Sequence, residues 1–152
     1  MVVDSDEHTE DGQLTGDHEV RAAMVEKRMR KGEALEIETL PPLLAGPPDG
    51  EVLLIGFGST KGVIAEAREI LSAEGVAAAA VHLRQVAPFP ARAVSEILDR
   101  YRTAFTVENN RTGQLARLIR AETGHEVSGT IARFDGLPFT PGEVAERVKE
   151  RR

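Results

Sequence analysis

The chain has 152 residues, of which 41% are hydrophobic, and this is the size of one compact domain. A formal net charge of −6 argues against binding a nucleic-acid backbone, because that affinity comes from clustered Lys and Arg. The absence of cysteine excludes disulfides, thiolate zinc sites and thiolate-held iron–sulfur clusters within these residues.

Residues 1–20 carry seven acids and no Lys or Arg, which predicts a solvated acidic arm. His8 lies among five of these acids, but the segment lacks the glycine and the terminal glutamate of an EF-hand loop, so no metal site is predicted there. Asp17 is the expected N-cap of a helix over residues 18–32. The acidic start and basic end of this helix suit its dipole.

Residues 35–39 alternate apolar and polar side chains, which predicts a half-buried strand at the edge of a sheet. Residues 41–50 are rich in Pro and Gly and are predicted to form a linker without helix or strand. We therefore expect two regions. Residues 1–50 hold the arm, a helix, the edge strand and the linker, and residues 51–152 form a regular α/β domain.

From residue 51 onward, apolar runs of strand length alternate with segments of helical periodicity. The predicted strands cover residues 52–55, 76–83, 103–107 and 127–132. One predicted helix follows each strand. The inward faces of these four helices hold, in chain order, Val63, Ile64, Ala67, Ile70 and Leu71; Ala91, Val94, Ile97, Leu98 and Tyr101; Leu115, Leu118 and Ile119; and Val144 and Val148. The last helix begins with a capping box, in which Thr140 is the N-cap, Pro141 takes the first position and Glu143 the third. Single helices between strands require crossovers, so the sheet is predicted to be mostly parallel with helices on both faces.

One loop joins the first of these strands to a helix N-terminus, where free N–H groups and the helix dipole attract anions. It consists of Gly56, Phe57, Gly58, Ser59, Thr60, Lys61 and Gly62. It lacks the glycine spacing of a P-loop, and in a dinucleotide fingerprint its third glycine would fall one position late. The alternative interpretation is structural: the first two glycines permit a tight turn, Ser59 or Thr60 caps the helix, and Gly62 allows close packing.

A second polar loop follows the third strand and therefore lies at the same carboxyl edge of the predicted sheet, where α/β folds bind ligands. Its residues are Glu108, Asn109, Asn110, Arg111, Thr112, Gly113 and Gln114. The alternative interpretation is a turn in which Thr112 caps the next helix. The histidines at 18, 82 and 125 are far apart in sequence and Ser59 lacks a nucleophile-elbow pattern, so no catalytic residue and no metal ligand is predicted.

Several short motifs follow one another along nearly the whole chain. They are Asp-Ser-Asp-Glu-His-Thr-Glu-Asp-Gly at 4–12, Glu-Val-Arg at 19–21, Met-Val-Glu-Lys-Arg at 24–28, the loop 56–62, His-Leu-Arg at 82–84, Pro-Phe-Pro at 88–90, Glu-Asn-Asn at 108–110, Gly-Gln-Leu at 113–115 and Leu-Pro-Phe-Thr at 137–140. In this order they resemble the C-terminal region of the α subunits of 2-oxoglutarate:ferredoxin oxidoreductases.

The resemblance implies a transketolase C-terminal-like fold, a three-layer α/β/α sandwich with a five-stranded mixed sheet in which residues 35–39 would be the antiparallel strand. It also implies a parent enzyme that converts a 2-oxoacid and CoA to acyl-CoA and CO₂ and reduces ferredoxin. Thiamine diphosphate, magnesium and the iron–sulfur cluster would be held by the other α-subunit domains and the β subunit. The resemblance implies no catalytic residue in this chain.

The leading hypothesis is therefore a domain for assembly, with the loops 56–62 and 108–114 as an interdomain or intersubunit surface. One alternative is an autonomous anion- or nucleotide-binding module that uses the loop 56–62, with Arg84 pairing a 2′-phosphate. A free-standing adaptor with an exposed apolar patch at the carboxyl edge of the sheet is a third. The longest apolar run, at 76–81, is too short to span a bilayer, and a cytoplasmic protein is expected.

Overall fold

The computed structural model describes residues 6–152. It divides into two compact units, Met1–Thr39 and Leu40–Arg152. The predicted start of the acidic arm, residues 1–5, lies outside the described residues. No helix among residues 6–152 combines the length and the apolar character needed to cross a membrane.

The first unit consists of a short hairpin and one long helix. Strands β1 (Glu7–His8) and β2 (Leu14–Thr15) pair antiparallel, and helix α1 covers His18–Ile37. The described part of the acidic arm is thus a hairpin tied to the helix, because Arg28 donates two hydrogen bonds to Glu7, at 3.0 and 2.6 Å. The Arg28 guanidinium holds the pKa of Glu7 at about 2.

The N-cap prediction for α1 is confirmed, and the strand prediction after it is wrong. Asp17 accepts hydrogen bonds from the backbone N–H groups of Glu19 and Val20, at 2.7 and 3.1 Å. The helix then continues to Ile37 through the segment predicted as a strand. Five residues of alternating polarity are a weak signal, because Leu and Glu are good helix formers and each added residue extends a helix that already exists.

The second unit is built on a five-stranded mixed sheet in the order β3-β5-β4-β6-β7. The strands cover Leu43–Ala45 (β3), Gly50–Phe57 (β4), Ala78–Leu83 (β5), Tyr101–Glu108 (β6) and Gly129–Ala132 (β7). Strand β3 runs antiparallel to β5 and the other neighbours are parallel. The antiparallel strand predicted from the resemblance is therefore present, but it lies in the segment predicted as a linker.

Four helices cover the two faces of the sheet, which confirms the predicted three-layer sandwich. They are α2 (Lys61–Ala73), α3 (Ala91–Leu98), α4 (Gln114–Thr123) and α5 (Pro141–Lys149), and a 3-10 turn at Gly58–Thr60 precedes α2. The helices α2 and α5 bury one apolar cluster against the sheet, and α3 and α4 bury the other. Tyr101, predicted on α3, instead begins β6.

Half of the predicted capping box of α5 is present. The Thr140 side chain accepts a hydrogen bond from the N–H of Glu143 at 3.3 Å, and Pro141 occupies the first helical position. The Glu143 carboxylate points elsewhere, because it accepts hydrogen bonds from Arg133 at 2.6 Å and from Arg147 at 2.7 Å. This ion-pair network ties α5 to the segment that follows β7.

Candidate functional site

The two loops predicted from the sequence come together at the carboxyl edge of the sheet. Strands β4 and β6 are parallel neighbours, so the loops that leave their ends are adjacent. Both loops line one cavity of about 480 Å³, to which the first contributes Ser59 and the second Asn109. The rest of the lining comes from the segment after β7, namely Arg133, Phe134, Gly136, Leu137 and Pro138.

The first loop owes its shape to the side chain of Thr60. This side chain is buried, and its hydroxyl donates a hydrogen bond to the carbonyl oxygen of Phe57 at 3.0 Å. Gly56 is required beside it, because a Cβ at that position would overlap Oγ1 of Thr60. Gly58 has a φ of +57°, a region that glycine adopts without strain.

Two details of the structural interpretation of this loop are wrong. Thr60 is the N-cap of α2 by position, but its side chain makes no capping hydrogen bond, since the hydroxyl is committed to Phe57. A Cβ added at Gly62 would meet no atom within 4 Å, so this glycine does not mark close packing. Lys61 is exposed at the first position of α2.

The second loop is organised by a buried carboxylate. Glu108 is only 1% exposed, and its two oxygens accept hydrogen bonds from the backbone N–H groups of Leu115, at 2.8 Å, and Ala116, at 3.1 Å. It also accepts from the side-chain amide of Asn110 at 2.7 Å. Glu108 thereby occupies the anion-attracting N-terminus of α4, which leaves Asn109 as the residue of this loop that lines the cavity.

The N-terminus of α4 also differs from the predicted turn. Its N-cap is Gly113, in the left-handed conformation with a φ of 64°, and Thr112 does not cap the helix. Gln114 is the first residue of α4 and is exposed, and its N–H donates to the Asn110 side chain at 3.3 Å. Two of the predicted residues, Glu108 and Gln114, thus stand at the helix start and do not line the cavity.

Sequence reasoning missed the segment after β7, which supplies most of the cavity wall. Arg133 holds it in place by donating to Asp135 at 2.9 Å, to the carbonyl oxygen of Pro138 at 3.0 Å and to Glu143 at 2.6 Å. Phe134 is 63% exposed, and the Arg111 guanidinium lies 5.9 Å from its ring centroid. Leu137 is 58% exposed. The sequence signal that could have indicated this cavity wall is the end of a predicted strand followed by Phe134 and Leu137 among Gly and Pro residues.

The Arg133–Asp135 contact predicts an acid-side pH dependence. The hydrogen bond from Arg133, helped by one from the N–H of Leu137, lowers the pKa of Asp135 from 3.8 to about 2. A depressed pKa means that the contact stabilises the fold fully above about pH 4 and is lost as the pH falls through about 2. We expect Arg133→Ala to return the pKa of Asp135 toward 3.8, as measured by carboxyl-carbon NMR titration. Arg102→Ala, at the opposite end of β6, serves as the control, and a value still near 2 in Arg133→Ala would contradict the assignment.

Sequence reasoning also missed a Ser–His–Asp cluster away from this edge. Nδ1 of His125 lies 3.1 Å from Oγ of Ser95, and its Nε2 lies 2.9 Å from Asp99. Ser95 stands inside α3, where the backbone N–H groups bond within the helix and do not form an oxyanion hole. The cluster therefore links α3 to the segment after α4. Among residues 6–152, no group of three His, Asp or Glu side chains is placed to hold a metal ion.

Comparison with known proteins places these features in a family. Residues 50–144 match the family described as pyruvate:ferredoxin oxidoreductase core domain II. The α subunit of 2-oxoacid:ferredoxin oxidoreductase 2 from Aeropyrum pernix is 40% identical over an alignment of 153 positions, which covers 98% of this chain and 24% of that protein. The chain thus spans about a quarter of the length of this curated relative.

Solved structures agree with the sequence comparison. The 2-oxoglutarate:ferredoxin oxidoreductase from Magnetococcus marinus, with 2-oxoglutarate, coenzyme A and succinyl-CoA bound, superposes with a TM-score of 0.82 at 30% identity, covering 99% of this chain and 26% of that one. A split-gene transketolase shares the fold, with a TM-score of 0.57 at 18% identity over 72% of this chain and 40% of that one. These matches do not support the alternative of an autonomous nucleotide-binding module. The chain belongs to the pyruvate:ferredoxin oxidoreductase core domain II family, as a domain of the kind found in 2-oxoacid:ferredoxin oxidoreductase α subunits.

Proposed function

We propose that this chain is an assembly domain of a 2-oxoacid:ferredoxin oxidoreductase. In that enzyme a 2-oxoacid, here 2-oxoglutarate, and CoA give acyl-CoA and CO₂, and the released electrons reduce ferredoxin. The observation that carries the proposal is collinear similarity to an α subunit over 98% of the chain. A cytoplasmic location is part of the same proposal.

The chemistry is assigned to other parts of the enzyme, because the residues of this chain do not fit its cofactors. Thiamine diphosphate with magnesium needs carboxylate or carbonyl ligands around the metal, and a cluster needs thiolates. The sequence has no cysteine. The N-terminus of α4, which could have attracted a diphosphate, is already occupied by Glu108. We therefore assign this domain a role in holding the other α-subunit domains and the β subunit in place.

Removing the domain from the assembled enzyme tests the proposal. A complex that contains residues 1–152, together with the other α-subunit domains and the β subunit, is expected to reduce ferredoxin when supplied with 2-oxoglutarate and CoA. A complex that lacks these residues is expected to lose both assembly, measured by size-exclusion chromatography with light scattering, and turnover.

Two further measurements complete this test. The chain alone is expected to reduce no acceptor. A complex carrying Arg92→Ala, a change at a side chain that is 93% exposed on α3, is expected to behave like the unmodified enzyme. Normal assembly and turnover without residues 1–152, or activity of the chain alone, would refute the proposal.

A further inference from the structure

The carboxyl edge of the sheet presents a mixed surface to solvent, in which two large apolar side chains lie among polar and cationic ones. We call it the edge patch, and its members are Ser59, Lys61, Asn109, Arg111, Phe134 and Leu137. Phe134 and Leu137 are more than half exposed and both line the cavity of about 480 Å³. Exposed large apolar side chains around a concavity are typical of interaction surfaces and costly to leave in water.

Hydrogen bonds within the chain hold both walls of the edge patch. Its outer wall, residues 133–138, is held by the three hydrogen bonds from Arg133 to Asp135, Pro138 and Glu143. The Asn110 side chain accepts from the N–H of Thr112 at 3.1 Å and holds the second wall. A surface fixed in this way loses little conformational freedom on binding, which favours association.

The charge around the edge patch is opposite in sign to that of the whole chain. The segments that leave the carboxyl ends of β4, β5 and β6 hold the cations Lys61, Arg84 and Arg111 and no exposed acid, whereas the chain carries −6. After β7, Arg133 is already paired with Asp135 and Glu143 and adds no free charge. Within residues 40–152, Lys61 and Arg111 form no ion pair. The partner with complementary charge is therefore anionic.

We propose that the edge patch binds an acidic segment of another part of the same oxidoreductase, with an apolar side chain seated between Phe134 and Leu137 and carboxylates facing Lys61 and Arg111. The inference rests on the proposed function and names the chemistry of the contact. A small anion alone does not fit, because it would leave both apolar side chains in water. A protein segment satisfies the charge and the apolar surface together.

Photo-cross-linking in the assembled complex tests which part of the complex the edge patch contacts. With p-benzoylphenylalanine at position 137, irradiation is expected to give one covalent adduct, which mass spectrometry places in a peptide of the same complex that contains several Asp or Glu. The same residue at position 102, at the opposite edge of the sheet, is the control and is expected to miss that peptide. An adduct in a neutral or basic peptide, or no adduct above the control, would overturn the proposal.

Charge reversal gives a second measurement that does not depend on the cross-linker. Lys61→Glu is expected to weaken assembly roughly tenfold at low ionic strength, with the difference shrinking at high salt. The variant should fold, because an acid in the first turn of α2 is favoured by the helix dipole. Arg102→Glu carries the same change in charge away from the edge patch and should leave assembly within about twofold.

The two proposals fail in different ways. Loss of ferredoxin reduction in the intact complex would count against the proposed function. The intact complex could assemble and turn over while Lys61→Glu assembles as tightly as Arg102→Glu and the cross-linker at position 137 gives no adduct with an acidic peptide. In that case the docking role of the edge patch is wrong and the proposed function stands.

Discussion

Replacing Glu108 by Ala is expected to lower the free energy of unfolding by roughly 3 kcal/mol. The carboxylate is buried and accepts the backbone N–H groups of Leu115 and Ala116 and the side-chain amide of Asn110. Alanine leaves these donors without their acceptor, of which the Leu115 N–H is buried and the other two are partly buried, and it opens a cavity where the side chain lay. Denaturant unfolding measured by circular dichroism checks the size of the effect.

Two companion variants make the Glu108 prediction specific. Glu108→Gln keeps one acceptor oxygen but places an amide N–H₂ among donors, so its cost should fall between that of Glu108→Ala and the unmodified chain. Glu122→Ala, at an exposed position of α4, should change stability by no more than about 0.5 kcal/mol. Faster amide exchange at Leu115 and Ala116 in Glu108→Ala would place the damage at the start of α4. Equal stability of Glu108→Ala and Glu122→Ala would show that the carboxylate does not hold the helix.

Two glycines of the first loop are expected to respond to alanine with opposite signs. Gly56→Ala should cost roughly 2–3 kcal/mol, because the new Cβ would overlap Oγ1 of Thr60 and lie 3.2 Å from Cδ1 of Ile64. Gly62→Ala should stabilise the chain by roughly 0.5–1 kcal/mol, because the Cβ meets no atom within 4 Å and alanine is the better helix former. Thermal and denaturant unfolding of both variants gives the comparison.

A double variant identifies the cause of the Gly56 effect. Thr60→Ala removes the hydroxyl that the new methyl group would strike, at the cost of its hydrogen bond to Phe57. If the overlap is responsible, Gly56→Ala with Thr60→Ala should be more stable than the sum of the two single changes predicts, by about 1 kcal/mol or more. Additive effects would place the cost of Gly56→Ala elsewhere.

The site shows how one sheet edge can be divided between structural and binding roles. In parallel α/β folds the carboxyl edge gathers helix N-termini that attract ligands. Here the N-terminus of α4 is taken by Glu108 of the same chain, and Thr60 shapes the start of α2 by turning inward. What is left for a partner is the edge patch with its cavity, cations and exposed apolar side chains. This arrangement agrees with the proposal that the domain contributes contacts and that the chemistry belongs to other parts of the enzyme.

Local signals predicted the regular elements of the fold. The apolar run at 52–55 became the centre of β4, and helical spacing placed Ile64, Ala67 and Leu71 on the buried face of α2. Two of the predicted N-caps, Asp17 and Thr140, accept N–H groups of their own helices, whereas the side chains of Thr60 and Thr112 do not. These features depend on residues within a few positions of one another, so a single sequence contains the information needed to predict them.

Long-range contacts determined the position of the edge strand and the shape of the candidate site. The edge strand is Leu43–Ala45 rather than residues 35–39, because pairing with β5 selects it and the helix that begins at His18 extends to Ile37. The buried Glu108 and the cavity wall at 133–138 depend on elements that meet only after the sheet has formed. By itself the sequence determined the alternation of strands and helices, the caps of α1 and α5 and the family resemblance, since those are local or collinear properties. Only the tertiary structure decided which polar side chains turn inward and which remain exposed at the sheet edge, because that depends on neighbours far away in the chain.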